Sequence, residues 1–151
     1  LITLVQPYFD QSIKKRIIKR NKIYFNDTGL VCHLLSIDNV ETLKLSPFKG
    51  FILETYVFNE IKKSYVNQNK ELIIYFYRDN NQNEIDFVLV NGGKLNLIEC
   101  KSGNKYSYND VKAFNQLKSS IHRIGGKCII CTTNDSYHLQ NDVDVYPIRV
   151  I

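Results

Sequence analysis

The stretch YFYRDNNQNEIDFVLVNGGKLNLIECKSG, residues 75–103, decides the fold. Leu72 to Arg78, Glu84 to Val90 and Leu95 to Lys101 are rich in aromatic and β-branched residues and read as three strands. The last two meet at Asn91-Gly92-Gly93-Lys94, and a Gly-Gly pair is a two-residue hairpin turn. That turn sets a register. With Gly92 and Gly93 as the loop, Asn91 faces Lys94, and Asp86 falls opposite Glu99. Directly opposed residues share a face, with Cβ atoms about 4.5–5.5 Å apart. Lys101, two positions beyond Glu99, shares that face as well. The register therefore predicts two carboxylates and one ammonium on one side of a sheet.

Two carboxylates buried side by side require a compensating cation. Lys101 can neutralise one of them. A divalent ion can do more, because two acid oxygens and a carbonyl suit Mg²⁺ or Mn²⁺. The plainer alternative is a salt bridge between Glu99 and Lys101 with Asp86 near the sheet edge.

Upstream, Gly50 to about Tyr65 reads as a helix, with Leu53, Val57, Phe58 and Ile61 on one side. Glu54 borders that stripe and can point toward the sheet, whereas Glu60 neighbours Lys63 and Ser64 and reads as solvated. The alternative for Glu54 is a partly exposed acid early in the helix, favoured by the helix dipole. Downstream, Ser107-Tyr-Asn-Asp110 resembles a capping box. It opens a predicted helix through about Ser120, with Val111, Phe114, Leu117 and Ile121 as its apolar side, ended by Gly125-Gly126. Lys127 to Thr132 reads as a fourth strand and Val143 to Val150 as a possible fifth. Strand interiors apolar on both faces predict an α/β fold, a mixed central sheet flanked by helices.

The N-terminal part, residues 1–48, reads as a β-ribbon, a short helix and a connector, and residues 49–151 as the main domain. Leu1-Ile-Thr-Leu-Val5 and Lys22-Ile-Tyr-Phe25 are the ribbon strands. Asn26-Asp27-Thr28-Gly29 is a turn and cap cluster before a helix at Leu30 to Leu35, and residues 36–49 read as a mixed connector. Between the ribbon strands, SIKKRIIKRNK (12–22) holds Lys14, Lys15, Arg16, Lys19, Arg20 and Lys22 with no acid. This run reads either as a solvated ribbon or as a phosphate-binding surface.

The 151 residues carry 20 Lys and Arg against 15 Asp and Glu, a net charge of +5 and a pI near 9.0, which leans toward an anionic partner such as nucleic acid. No apolar run approaches the length of a membrane span, so no membrane contact is expected. The chain starts at Leu1 rather than Met and reads as a piece of a longer protein. Cys128 and Cys131 form a CxxC inside an apolar strand, where a zinc knuckle would need a turn. All four cysteines read as reduced thiols, as in a cytoplasmic protein.

A helix acid, an Asp at 86 and Glu99-Cys100-Lys101 on the next strand resemble the PD-(D/E)xK nuclease (restriction-endonuclease-like) core. Ile85 stands where that motif's name has Pro. The segments KIYFNDTGL (22–30), GFILETYVFNEIKK (50–63), YFYRDNNQNEIDFVLV (75–90) and LIECKSG (97–103) resemble the C-terminal domain of unknown function of prokaryotic AAA-type ATPases. The resemblance implies an N-terminal ATPase module in the parent chain and makes residues 1–25 the remnant of a winged-helix wing; no GxxxxGK[ST] motif lies within these residues. It implies a metal-dependent nuclease acting on DNA or RNA, or else a non-catalytic nucleic-acid-binding, regulatory or protein-interaction module. It makes Asp86, Glu99 and the Cys100 carbonyl ligands of Mg²⁺ or Mn²⁺, with Glu54 binding directly or through water, and Lys101 the residue that acts on water or phosphate. Lys14, Lys15, Arg16 and Lys19 of the basic run would contact substrate, and Arg78, ending the preceding strand, would contact phosphate or else pair with Asp79 or Glu84.

Overall fold

The structure, a computed structural model, describes residues 1–9, 20–117, 119 and 121–151. Lys14, Lys15, Arg16 and Lys19 lie outside the described residues, so the substrate contacts expected of them are proposals only.

The chain is mixed α/β. The ribbon strands β1 (Ile2–Val5) and β2 (Lys22–Phe25) pair antiparallel. Helix α1 (Thr28–Leu34) begins where the Asp27 carboxylate accepts the Leu30 backbone N–H. The expected connector contains a second helix, α2 (Val40–Leu45), capped by Asn39 accepting from the Thr42 N–H. A cap residue followed by only six helical positions leaves little periodicity to read. Helix α3 (Lys49–Asn67) is the long one and buries Ile52, Thr55, Val57 and Phe58.

The main sheet has six strands in the order β3-β4-β5-β6-β8-β7. These are β3 (Ile73–Arg78), β4 (Glu84–Asn91), β5 (Lys94–Lys101), β6 (Arg123–Cys131), β7 (Tyr137–Leu139) and β8 (Val143–Pro147). The β4–β5 hairpin has the expected register, from Asn91 opposite Lys94 to Phe87 opposite Ile98. Gly92 and Gly93 supply the turn with φ of 56° and 72°, a region open to glycine. β5, β6 and β8 run parallel to one another, while β3–β4, β4–β5 and β7–β8 are antiparallel.

Three expectations are corrected. The segment after Ser107 is a 3₁₀ helix, Tyr108–Asn115, and Val111 breaks it with a φ of −126°. The Ser107–Asp110 capping box is present, but Ile121 is exposed rather than part of a helix stripe. Gly125-Gly126 does not end a unit; it lies inside β6, where the Asn96 side chain accepts the Gly126 N–H at 2.9 Å. A Cβ on Gly125 would meet the Asn96 Oδ1 at 2.7 Å, so the glycine permits that close approach. At the C-terminus a short 3₁₀ turn, Ile148–Val150, follows β8, and β7 was not foreseen.

Two apolar layers cover the sheet. On one face Val57 and Phe58 of α3 pack on Phe76, Phe87, Ile98 and Ile130, joined by Val5 and Tyr24 of the ribbon. Tyr24 stacks on Phe58 at 4.6 Å and contacts Phe87 at 5.6 Å, so the ribbon is anchored to the core. On the other face Val111, Phe114 and Leu117 cover Tyr77, Ile85, Val88, Leu97, Ile129 and Val145. Cys128 and Cys131 are three apart in β6 and join opposite layers. Burial pushes the Cys128 thiol up to about 12 and raises Cys131 and Cys100 too, which keeps these free thiols unreactive. Among the described residues no helix is long and apolar enough to cross a membrane.

Phe87 is fully buried where α3, the ribbon and the sheet meet. Phe87→Ala is expected to cost ~3–5 kcal/mol in urea unfolding. Leu45→Ala, at a position 87% exposed, should stay within about 0.5 kcal/mol of the parent. Equal effects from the two variants would show that the core is misassigned.

Candidate functional site

The site begins with an irregularity in β4. Pairing with β3 runs Ile73–Val90, Ile74–Leu89 and Tyr75–Val88, then resumes at Tyr77–Ile85 and Arg78–Glu84. Asp86 and Phe87 together stand opposite Phe76, which is a β-bulge with the extra residue in β4. The bulge resets side-chain alternation. Ile85 joins Val88 in one layer while Phe87 belongs to the other.

Asp86 lies in that bulge, where the ladder to β5 has just ended. Its Oδ2 accepts the Cys100 backbone N–H at 2.9 Å, and its Oδ1 is 3.1 Å from the Lys22 ammonium. The predicted register is present, yet Asp86's orientation follows from the bulge as well as from the register. It borders Glu99 and also reaches toward Glu54 and Lys22. Glu99 and Lys101 follow Leu95 and Leu97 in alternation, and the Lys101 Nζ donates to the Glu99 Oε1 at 2.6 Å.

Glu54, on α3, is the helix acid that enters the cluster. Its Oε1 accepts from Lys22 at 2.8 Å and also from the Tyr24 hydroxyl. Glu60 instead pairs with Lys63. Glu84 bridges two cations, taking Lys22 at 2.6 Å and the Arg78 Nε at 2.8 Å. Arg78 thus pairs with Glu84, while Asp79 is buried and accepts the Asn81 and Asn83 backbone N–H groups to close the 79–83 loop.

Glu54, Glu84, Asp86, Glu99, Cys100, Lys101 and Arg78 line one cleft of about 560 Å³, with Asn109, Asp110 and Lys112 from the 3₁₀ helix on its other wall. The cleft thus gathers Glu54, Asp86, Glu99, Cys100, Lys101 and Arg78 of the sequence-derived set. Lys22 is the residue that sequence reading misplaced: it was counted in the basic surface run, but its side chain is only 15% exposed and touches three carboxylates. A signal existed. Lys22 and Tyr24 are two apart in a strand, so a buried Tyr24 brings Lys22 to the same inner face.

Burial lowers the affinity of the Lys22 amine for its proton, but Glu54, Asp86 and Glu84 outweigh it and hold the ammonium above the ordinary lysine range. Desolvation and the neighbouring Asp86 raise Glu54, partly relieved by Lys22. Burial would raise Glu84, yet Lys22 and Arg78 bring it below its usual value. Desolvation and the Asp86 charge push Glu99 up to about 8, against the pull of Lys101. Glu99 is 7% exposed, and its Oε2 is buried with no hydrogen-bond partner.

Against a hard divalent ion the donor set fits at one end only. The oxygens of Glu99 and Asp86 are of the right chemistry, and the Glu99 Oε2 has its lone pairs free. At the Glu54 end the Lys22 ammonium already occupies the space between three carboxylates. Among the described residues no three His, Cys, Asp or Glu side chains stand ready as a metal cage.

The Glu99 shift has a sign. A carboxyl whose folded value is about 8 against 4.5 favours the folded state while protonated. That contribution is full below about 4.5 and is lost as pH rises toward 8. In chelator, Glu99→Gln should therefore melt near the parent temperature at about pH 5 and several degrees above it at about pH 8.5. A melting difference that does not grow with pH would contradict the assignment.

Comparison with known proteins adds two matches. Residues 1–41 match a family described as Domain of unknown function (DUF8612). No curated protein matches the chain, and no solved structure does. Residues 49–151, more than half of the chain and including all of α3 and the six-stranded sheet, match the family described as Domain of unknown function (DUF4143), and the chain belongs to that family.

Proposed function

We propose that this cleft is a divalent-metal-dependent phosphodiester-hydrolysing centre of the PD-(D/E)xK type, acting on DNA or RNA within the C-terminal part of an AAA-type ATPase. One observation carries the reading: a buried, unpartnered carboxylate oxygen on Glu99 lies in the same cleft as Asp86, with the Lys101 ammonium on its sister oxygen. Buried oxygens without partners are costly and ask for a cation or a donor.

Asp86, Glu99 and the Cys100 carbonyl would hold Mg²⁺ or Mn²⁺. The bound ion would polarise the phosphate and lower the pKa of an attacking water. Lys101, held on Glu99, keeps a positive charge beside the place where phosphate charge grows. Arg78 and Lys112 on the cleft walls offer further positive charge for orienting the backbone. Lys14, Lys15, Arg16 and Lys19 would add salt-sensitive, sequence-independent affinity.

Lys22 favours a second reading, a nucleic-acid-binding or regulatory module of the parent ATPase that does not cut. In that reading the acids are neutralised from within and the cluster is a structural lock.

Cleavage of labelled DNA and RNA by the purified chain, assayed across Mg²⁺ and Mn²⁺, separates the two. Glu99→Gln is expected to lower cleavage by roughly two orders of magnitude or more. The same variant should leave binding intact. Replacing Lys14, Lys15, Arg16 and Lys19 by Gln should weaken binding and flatten its salt dependence, by up to about 3.6 in the log–log slope for duplex DNA. An absence of cleavage with either metal, on every substrate form, would leave the non-catalytic reading. Cleavage unaffected by Glu99→Gln would place the chemistry elsewhere.

A further inference from the structure

We propose that the Lys22 ammonium holds the place of a second cation in the cleft, so that the site takes a single divalent ion, at its Glu99–Asp86 end. The inference rests on the reading of that end as a metal site.

The geometry is that of a bound cation rather than of a surface lysine. The Lys22 Nζ lies 2.8 Å from Glu54, 2.6 Å from Glu84 and 3.1 Å from Asp86. An ammonium has three N–H donors and no acceptor, and here it faces three carboxylates from two elements, hydrogen-bonding Glu54 and Asp86 and ion-pairing with Glu84. Glu54 comes from α3, Asp86 from the β4 bulge and Glu84 from the start of β4, and Lys22 bonds to all three. The Phe76 ring lies 5.5 Å from the same nitrogen, closing it off from the sheet side.

Lys22 is also held in place from behind. It opens β2, and two residues later Tyr24 is locked between Phe58 and Phe87. That anchoring fixes the backbone at Lys22 and keeps its side chain within reach of the three acids. A divalent ion at the same point would sit within a few ångströms of a trapped positive charge and would have to displace it. Lys22 thus does for Glu54 and Glu84 what a metal would do: it places a positive charge between acids that stand close together. Glu99 differs, since its cation, Lys101, covers only one oxygen.

The test counts ions rather than turnover. Mn²⁺ binding to the full 151-residue chain is measured by titration calorimetry and by electron paramagnetic resonance, which detects coupling between neighbouring ions. The expected result is one ion in the parent, two coupled ions in Lys22→Met, and one again in Lys22→Met/Glu54→Gln. Two ions in the parent, or one ion in a Lys22→Met variant that melts as cooperatively as the parent, would overturn the proposal. A Lys22→Met variant that is unfolded in chelator but folds on adding Mn²⁺ with two ions bound would support it. One that stays unfolded with Mn²⁺ would overturn it, leaving Lys22 a purely structural residue. No ion in the parent but one in Lys22→Met would keep the Lys22 inference and remove the Glu99 site. No ion in either would remove both.

Discussion

Four carboxylates converge on one cleft, and their repulsion is balanced by cations drawn from three separate parts of the chain. Lys22 comes from the ribbon, Arg78 from the edge strand and Lys101 from the middle of the sheet. Burial and the neighbouring Asp86 charge raise both Glu54 and Glu99, so the crowding of the acids is eased at those two carboxyls. The arrangement also ties the fold together. Without Lys22, Glu54 of α3 and Asp86 of β4 would face each other with no cation between them, and the ribbon would lose its ionic tie to both.

Much of this was legible in the sequence because it is local. The Gly92-Gly93 turn, the strands around it and the caps at Asp27 and Ser107 each rest on residues a few positions apart, and the structure has them. Glu54 rather than Glu60 enters the cleft, as the apolar stripe of α3 indicated. What was not legible depends on distant partners. Val111 breaks the expected helix although its spacing with Phe114 is helical, because a 3₁₀ segment can still place both side chains on the sheet. Gly125 and Gly126 look like punctuation, yet they form a bulge within β6 opposite Asn96, whose side chain accepts the Gly126 N–H. Lys22 looked like one more member of a basic run, and only the position of α3 reveals three acids waiting for it.

The cleft sits where two kinds of strand pairing meet. β4 and β5 are antiparallel, β5 and β6 parallel, and the acids lie at the end of β5 where its ladder to β4 has ended and its ladder to β6 continues to Lys101. One edge of β5 is therefore rigidly paired while the other is free to accept a side chain, and Asp86 takes the vacated Cys100 N–H. A carboxylate held by a backbone donor has little freedom to rotate. Glu99 and Lys101 ride on the paired edge and are equally fixed. Glu84, Asp86, Glu99 and Lys101 are set on strands and Glu54 on a helix rather than on loops, which suits a centre that needs defined distances.

The bulge in β4 acts as a parity switch. On its far side, odd-numbered residues face the layer that even-numbered residues face on its near side, as Ile85 and Val88 do. Any comparison of related chains that counts alternation straight through this strand will exchange inside for outside before Asp86. Losing Asp86 would restore an unbroken ladder with Ile85 still opposite Tyr77, but would remove the carboxylate that the bulge aims at the Cys100 N–H and Lys22. Length is therefore constrained between Glu84 and Glu99, because the bulge and the Gly92-Gly93 turn together set where Asp86 stands relative to Glu99. Insertions have their natural home instead in the 79–83 loop, where the chain already doubles back outside the sheet.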